Sequence, residues 1–307
     1  MKYILEGIRS GTLKQKNLSG SEYAELIQTK ERLIEVYHIE EKFDLLLGNY
    51  SELENSLLTS AVEHMVYGPQ GAQWYLTQKN YIVRRIVNLL GSCRLYIDQT
   101  RHHLSRIYGR STEIPDAFKS LVHSEYNSCS SYRIMDALRN YSQHRGYPFQ
   151  AMGFPIKMVD PKNSKNMLFS ITPLIQPKIM AKDHRTKRNI LNELMSKGEY
   201  VDIKPIYREY IESLWRIHSG LRAMIAHHVA EWDLLVMQTV NDFYESTKAL
   251  NMFRLGIIRK GEDGSIAEAE DLSHEMIQER RYYEHRNRNL INISKRYVTG
   301  EVVKLDV

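Results

Sequence analysis

From Ser19 to Gly146 apolar residues return every three or four positions with few interruptions, and this period admits little but helices packed side by side. Ser19-Gly20-Ser21-Glu22 reads as a capping box, followed by Tyr23, Leu26, Ile27, Leu33, Ile34 and Tyr37, with a stop expected at Gly48. A second box, Ser51-Glu52-Leu53-Glu54, opens a helix through Leu57, Leu58, Ala61, Val62 and Met65 that closes at Gly68-Pro69. A third helix is expected from about 72 to 108, closed by Gly109, and a fourth from Pro115 to about Tyr126. The connections are short, as between antiparallel neighbours.

A final helix of this series carries Ile134, Leu138 and Tyr141 on its apolar face and runs to about Arg145, where Gly146 and Pro148 punctuate it. Beside that face lie Arg139, Asn140, Gln143 and His144. Residues four apart are neighbours on a helix, so Asn140 sits below His144 and Arg139 below Gln143. An imidazole in a last helical turn feels partial negative charge and titrates near neutrality, while a guanidinium offers a planar fork of donors suited to phosphate oxygens. Together they point to phosphodiester chemistry without a metal. The spacing alone carries little, because Arg32/His38, Arg222/His227, Arg222/His228 and Arg280/His285 repeat it. The polar patch and the stop behind it set Arg139/His144 apart.

The segment Arg139-Asn140-Tyr141-Ser142-Gln143-His144 resembles the Arg-x(4–6)-His motif of HEPN domains, including the polar residue after the arginine. The resemblance covers six residues of motif and extends in helical context over about 20–148. It implies an α-helical bundle and a metal-independent endoribonuclease, dimeric through the motif helix, of the kind that acts as a toxin or in defence against phage. Arg139 and His144 would be the catalytic pair, with Asn140, Tyr141 and Gln143 in support. No cofactor and no metal are expected; RNA, a second copy of the chain and an antitoxin or regulatory protein are the expected partners.

The fold class expected is mainly α: a HEPN-like antiparallel bundle over 1–150, then a mixed α+β half over 151–307 with short hairpins. In that second half, 152–160 and 166–175 flank Asp160-Pro161-Lys162-Asn163-Ser164-Lys165 as a hairpin, with 178–182 as a third strand. Helices are expected at 186–197 and 204–247, the latter with a kink at Ser219-Gly220, a second hairpin at 253–259 and 265–269, a helix at 273–295 and a strand at 297–305. Residues 1–17 read as an edge strand or arm.

The run Arg280-Arg281-Tyr282-Tyr283-Glu284-His285-Arg286-Asn287-Arg288 interleaves cations and aromatics as RNA-binding surfaces do, and so does any solvated helix face. Arg280, Arg281, Arg286 and Arg288 are the RNA contacts it offers, and Arg145 beside the motif is another candidate. Lys178, Lys182, Arg185, Lys187 and Arg188 form a looser basic group. A formal net charge of +5 is compatible with a polyanionic partner. Adjacent histidines, His102-His103 and His227-His228, diverge by about 100° on a helix and do not readily share a metal. Glu35-Val36-Tyr37-His38 is half of a di-iron motif without a second copy. Cys93 and Cys129 form no CxxC pair, and no HExxH, GxSxG, P-loop or GxGxxG occurs, which disfavours zincin, serine hydrolase, NTPase and dinucleotide-binding readings. No run is long and apolar enough for a membrane span or a secretion signal, so a cytoplasmic protein without a membrane partner is expected.

Overall fold

The computed structural model describes residues 1–9, 12–110, 112–159, 166–183, 186–247, 254–272 and 275–298. It is mainly helical. The first helix, α1 (Gly20–Tyr67), starts at the expected box: the Ser19 N–H donates to Glu22 Oε2 at 2.7 Å and the Glu22 N–H donates to Ser19 Oγ at 3.2 Å. The Ser19 N–H, with the Ser19 side chain, holds the Glu22 carboxyl below its ordinary range.

The expected stop at Gly48 does not occur; α1 runs through it and through the second box. A mid-helix glycine costs only about 1 kcal/mol, and Leu46 and Leu53 on either side are fully buried. Glu54 is drawn off to α7 (Ile203–Thr247), accepting from Tyr207 Oη at 3.1 Å and from Arg208 Nε and Nη2 at 2.6 and 2.7 Å. Helix α1 ends instead at Gly68, whose φ of 69° lies in the left-handed region.

Next come α2 (Gly71–Tyr108), α3 (Glu113–Ser128) and α4 (Ser130–His144), close to expectation. Later helices are α5 (Pro177–Met180), α6 (Arg188–Met195), and, beyond α7, α8 (Glu275–Arg286). The stretch 178–182, expected as a strand, belongs to α5 and the turn after it: Pro177 at the first helical position presets φ, and the Ile179 N–H donates to Gln176 O at 2.9 Å. The helix expected over 273–295 is shorter, and a 3₁₀ turn at Ile293–Lys295 follows it. Most of the strand expected at 297–305 lies outside the described residues, as does 160–165.

Strands β1 (Lys2–Arg9) and β2 (Thr12–Leu18) form an antiparallel hairpin. The other edge of β1 pairs with β8 (Arg254–Lys260), which pairs with β9 (Ile266–Asp271), giving the order β2-β1-β8-β9. Ile4 faces Ile258 and Leu5 faces Ile257 across the central pair, all four buried. Of the other hairpin, β4 (Ile156–Met158) and β5 (Met167–Phe169) pair as expected. Their flanks do otherwise: β3 (Ala151–Gly153), β6 (Thr172–Ile175) and β7 (Val201–Asp202) make a small sheet in the order β3-β6-β7.

The chain divides into two compact units that interleave along the sequence, one from 1–44, 96–119 and 219–288, the other from 45–95, 120–218 and 289–307. The expected boundary at 150 falls inside the second. The first unit holds the four-stranded sheet and α8, with a core including Leu33, Phe43, Tyr96, Ile225, Phe243 and Ile257. The second holds most of α3 and all of α4–α6, with Ile82, Ile86, Ile134, Leu138, Phe149 and Leu194 in its core. Among the described residues no helix is long and apolar enough to cross a membrane.

Candidate active site at the end of the fourth helix

Helix α4 is fixed at both ends. At its start Ser130 Oγ donates to Glu193 Oε2 at 2.9 Å, and Arg133 Nε donates to Glu193 Oε1 at 3.1 Å, tying α4 to α6. Arg133 Nη1 also donates to the Tyr126 carbonyl at 2.9 Å, closing the end of α3. Burial of Tyr132, Ile134, Met135, Leu138 and Tyr141 fixes which face looks inward. At the other end the Arg145 N–H donates to Tyr141 O at 2.8 Å, and the Gly146 N–H reaches the same oxygen at 3.3 Å. A Cβ at Gly146 would sit 3.3 Å from Tyr141 Oη, so the close turn favours glycine. Pro148 and Phe149 then run into the interior.

With α4 so oriented, Asp136, Asn140 and His144 form a four-spaced row that opens on a cleft of about 200 Å³. Tyr126 of α3, Ala137 and Tyr141 of α4, and Asp183, Thr186, Lys187 and Ile190 complete its lining. His144 is exposed and its imidazole has no hydrogen-bond partner among the described residues. Asp136 lies eight residues back, about 12 Å along the helix axis, out of reach of the imidazole.

The sequence-derived residues part company here. Asn140, Tyr141 and His144 share the cleft; Arg139 does not line it. Its Nη1 donates to Asn140 Oδ1 at 3.2 Å, and its Nε is buried without a hydrogen-bond partner among the described residues. Arg139 therefore reaches the cleft through Asn140. Gln143 is exposed and outside the lining. Arg145 turns to Asp183, Nε to Oδ1 at 3.2 Å, neutralising a carboxylate that is 6% exposed. Asp136 was legible one turn before Asn140 in the same polar row. Asp183, Thr186 and Lys187 arrive about forty residues after the motif, and only Lys187 carried any signal, within a loose basic group.

The basic run of the first unit is not a uniform face. Arg280, expected as an RNA contact, is 3% exposed and ion-paired to Asp233 (2.5 Å) and to Glu284, so it has no free edge to offer a phosphate. Arg281 also meets Asp233, at 3.0 Å, and Arg286 meets Asp44 at 3.4 Å, each about half exposed. Arg288 is exposed. Burial pushes the Glu284 carboxyl above its ordinary range, against the pull of Arg280.

The paired histidines take separate partners. His103 Nδ1 lies 2.5 Å from Glu35 Oε2, and burial holds its imidazole below the ordinary value despite that carboxylate. His228 Nδ1 meets Tyr108 Oη at 3.0 Å. Glu35 also pairs with Arg106 at 2.9 Å, so its carboxylate is committed. No group of three metal-ligating side chains occurs among the described residues. Compared with family models, with curated proteins and with solved structures, the chain finds no match.

Proposed function

We propose that this chain is a metal-independent endoribonuclease of HEPN type, a toxin or antiphage effector that cuts RNA through the ribose 2′-hydroxyl. The observation that carries the reading is the imidazole of His144, without a hydrogen-bond partner among the described residues and held at a helix end on the rim of an open cleft with Asn140 one turn below. His144 takes the proton of the 2′-hydroxyl; the 2′-oxygen attacks the adjacent phosphorus; the bond to the 5′-oxygen breaks and that oxygen leaves protonated. The products are a 2′,3′-cyclic phosphate and a 5′-hydroxyl. A single imidazole cannot donate to the leaving oxygen while it is accepting from the nucleophile. A second copy of the chain, joined through the helix that carries Arg139 and His144, supplies the second imidazole. Arg139 contributes positive charge behind Asn140 and fixes the amide that faces the substrate.

The test is cleavage of an RNA pool in excess EDTA, with end-group analysis of the products. His144→Ala lowers the rate about a hundredfold or more, in the range for a lost general base, and Arg139→Ala lowers it as well. Wild-type cleavage that disappears with EDTA, or His144→Ala cutting at the wild-type rate, would sink the reading.

One observation favours a second reading, a non-catalytic helical module that binds RNA or a partner protein: the Arg139 guanidinium is spent on its neighbour rather than presented to the cleft. Salt-sensitive RNA binding by the wild type, with no cleavage of any RNA, marks that alternative.

A further inference from the structure

We infer that Lys187 is the phosphate-binding residue of the α4 cleft and that the cleft admits one nucleotide of an unpaired RNA strand, its base against Tyr126; this rests on the nuclease reading. A cleft that holds a phosphodiester needs a cation on its lining, and Arg139 is not there. Lys187 is the one lysine or arginine that lines it among the described residues. It is exposed and has no ion-pair partner among them. Of the carboxylates on the lining, Asp183 already has Arg145 at 3.2 Å. Lys187 therefore carries its charge unspent into the cleft that His144 opens on. An ammonium on a flexible stem binds a phosphate as a point charge.

The other groups order the substrate. Asp136 and His144 stand at opposite ends of the helical row on the lining. Tyr126 is half-buried and gives the lining an aromatic wall, on which any base can stack. The cleft, at about 200 Å³, is on the scale of a nucleotide's base or sugar phosphate, with the rest of the nucleotide outside it. In an A-form duplex the bases stay stacked and paired and none is free to enter. The cation also comes from the same chain as the histidine it serves, so binding of the phosphate needs one protomer only.

The experiment uses the full chain and a short single-stranded RNA with a matched duplex, in EDTA, over a series of salt concentrations. Lys187→Gln raises KM for the single strand about tenfold while kcat stays within about threefold, and Lys187→Arg restores KM. The slope of log KM on log salt falls by about 0.7 in Lys187→Gln, the loss of one contact to a single-stranded phosphate. Tyr126→Ala raises KM and Tyr126→Phe does not. If Lys187→Gln leaves KM and the salt slope unchanged while His144→Ala is inactive, this inference fails and the nuclease reading stands. Equal turnover of duplex and single strand also overturns it. Should His144→Ala cut at the wild-type rate, or the wild type cut neither RNA, the nuclease reading fails first and this one with it.

Discussion

Arg280 has 3% of its side chain exposed, so its energetic role is set by the carboxylates of Asp233 and Glu284. Removing one partner of a buried pair strands the other, at a cost of about 3–5 kcal/mol. Arg280→Ala is therefore expected to lower stability by about that amount in urea denaturation, with RNA affinity of the folded fraction unchanged. Glu125 makes a complementary case. Burial raises its carboxyl, but two bonds from Arg216 at 3.0 and 2.8 Å and one from Ser213 outweigh it, and the net shift is downward from 4.5. A carboxylate depressed in the folded state stabilises fully above its unfolded value and loses that contribution as pH falls through the folded one. The denaturation midpoint should thus fall as pH drops below 4.5, with a shallower fall in Glu125→Gln. At this scale the sequence showed neighbours on one helix, Asn140 beneath His144, because four-residue spacing is geometry. Asp233 as the partner of Arg280, or Lys187 in one cleft with His144, depends on packing that no local pattern encodes.

Among the elements, the two capping boxes of α1 have the same sequence form and different fates. Ser19 and Glu22 exchange bonds at a true helix start, whereas Ser51 is exposed in mid-helix and Glu54 serves Arg208 and Tyr207. Ser19→Ala should cost about 1 kcal/mol of stability, and Ser51→Ala should be neutral or gain a few tenths through helix propensity. Equal effects on the urea midpoint would refute this distinction. Helix ends were legible where glycine adopts positive φ, at Gly68 and Gly109. Gly48 was misread because buried leucines on both sides carry the helix across it. The strand expected at 178–182 failed because a short apolar run shows no period, and Pro177 decides the matter as a helix start. The end of α4, which matters most for the site, was placed to within a residue by Gly146 and Pro148.

For the whole molecule, a helical front and a mixed back describe the order of elements along the chain but not its compact units. The long helices α1, α2 and α7 each give one part to each unit, so neither unit is a continuous piece of sequence. Local periodicity reports the face of a helix and is silent on which distant segment covers it. The same limit hid the pairing of β1 with β8, since each strand had a near neighbour in sequence, β2 and β9, that satisfied one of its edges.

That central pairing sets a clock on biosynthesis. Strand β1 spans residues 2–9 and its inner partner spans 254–260. At about 5–20 residues per second, roughly 12–50 s separate the two on the ribosome. Throughout that interval the first hairpin carries a bare hydrogen-bonding edge beside Ile4 and Leu5, and a neighbouring nascent chain on the same message offers the same edge in return. Dense polysomes therefore expose this fold to mispairing.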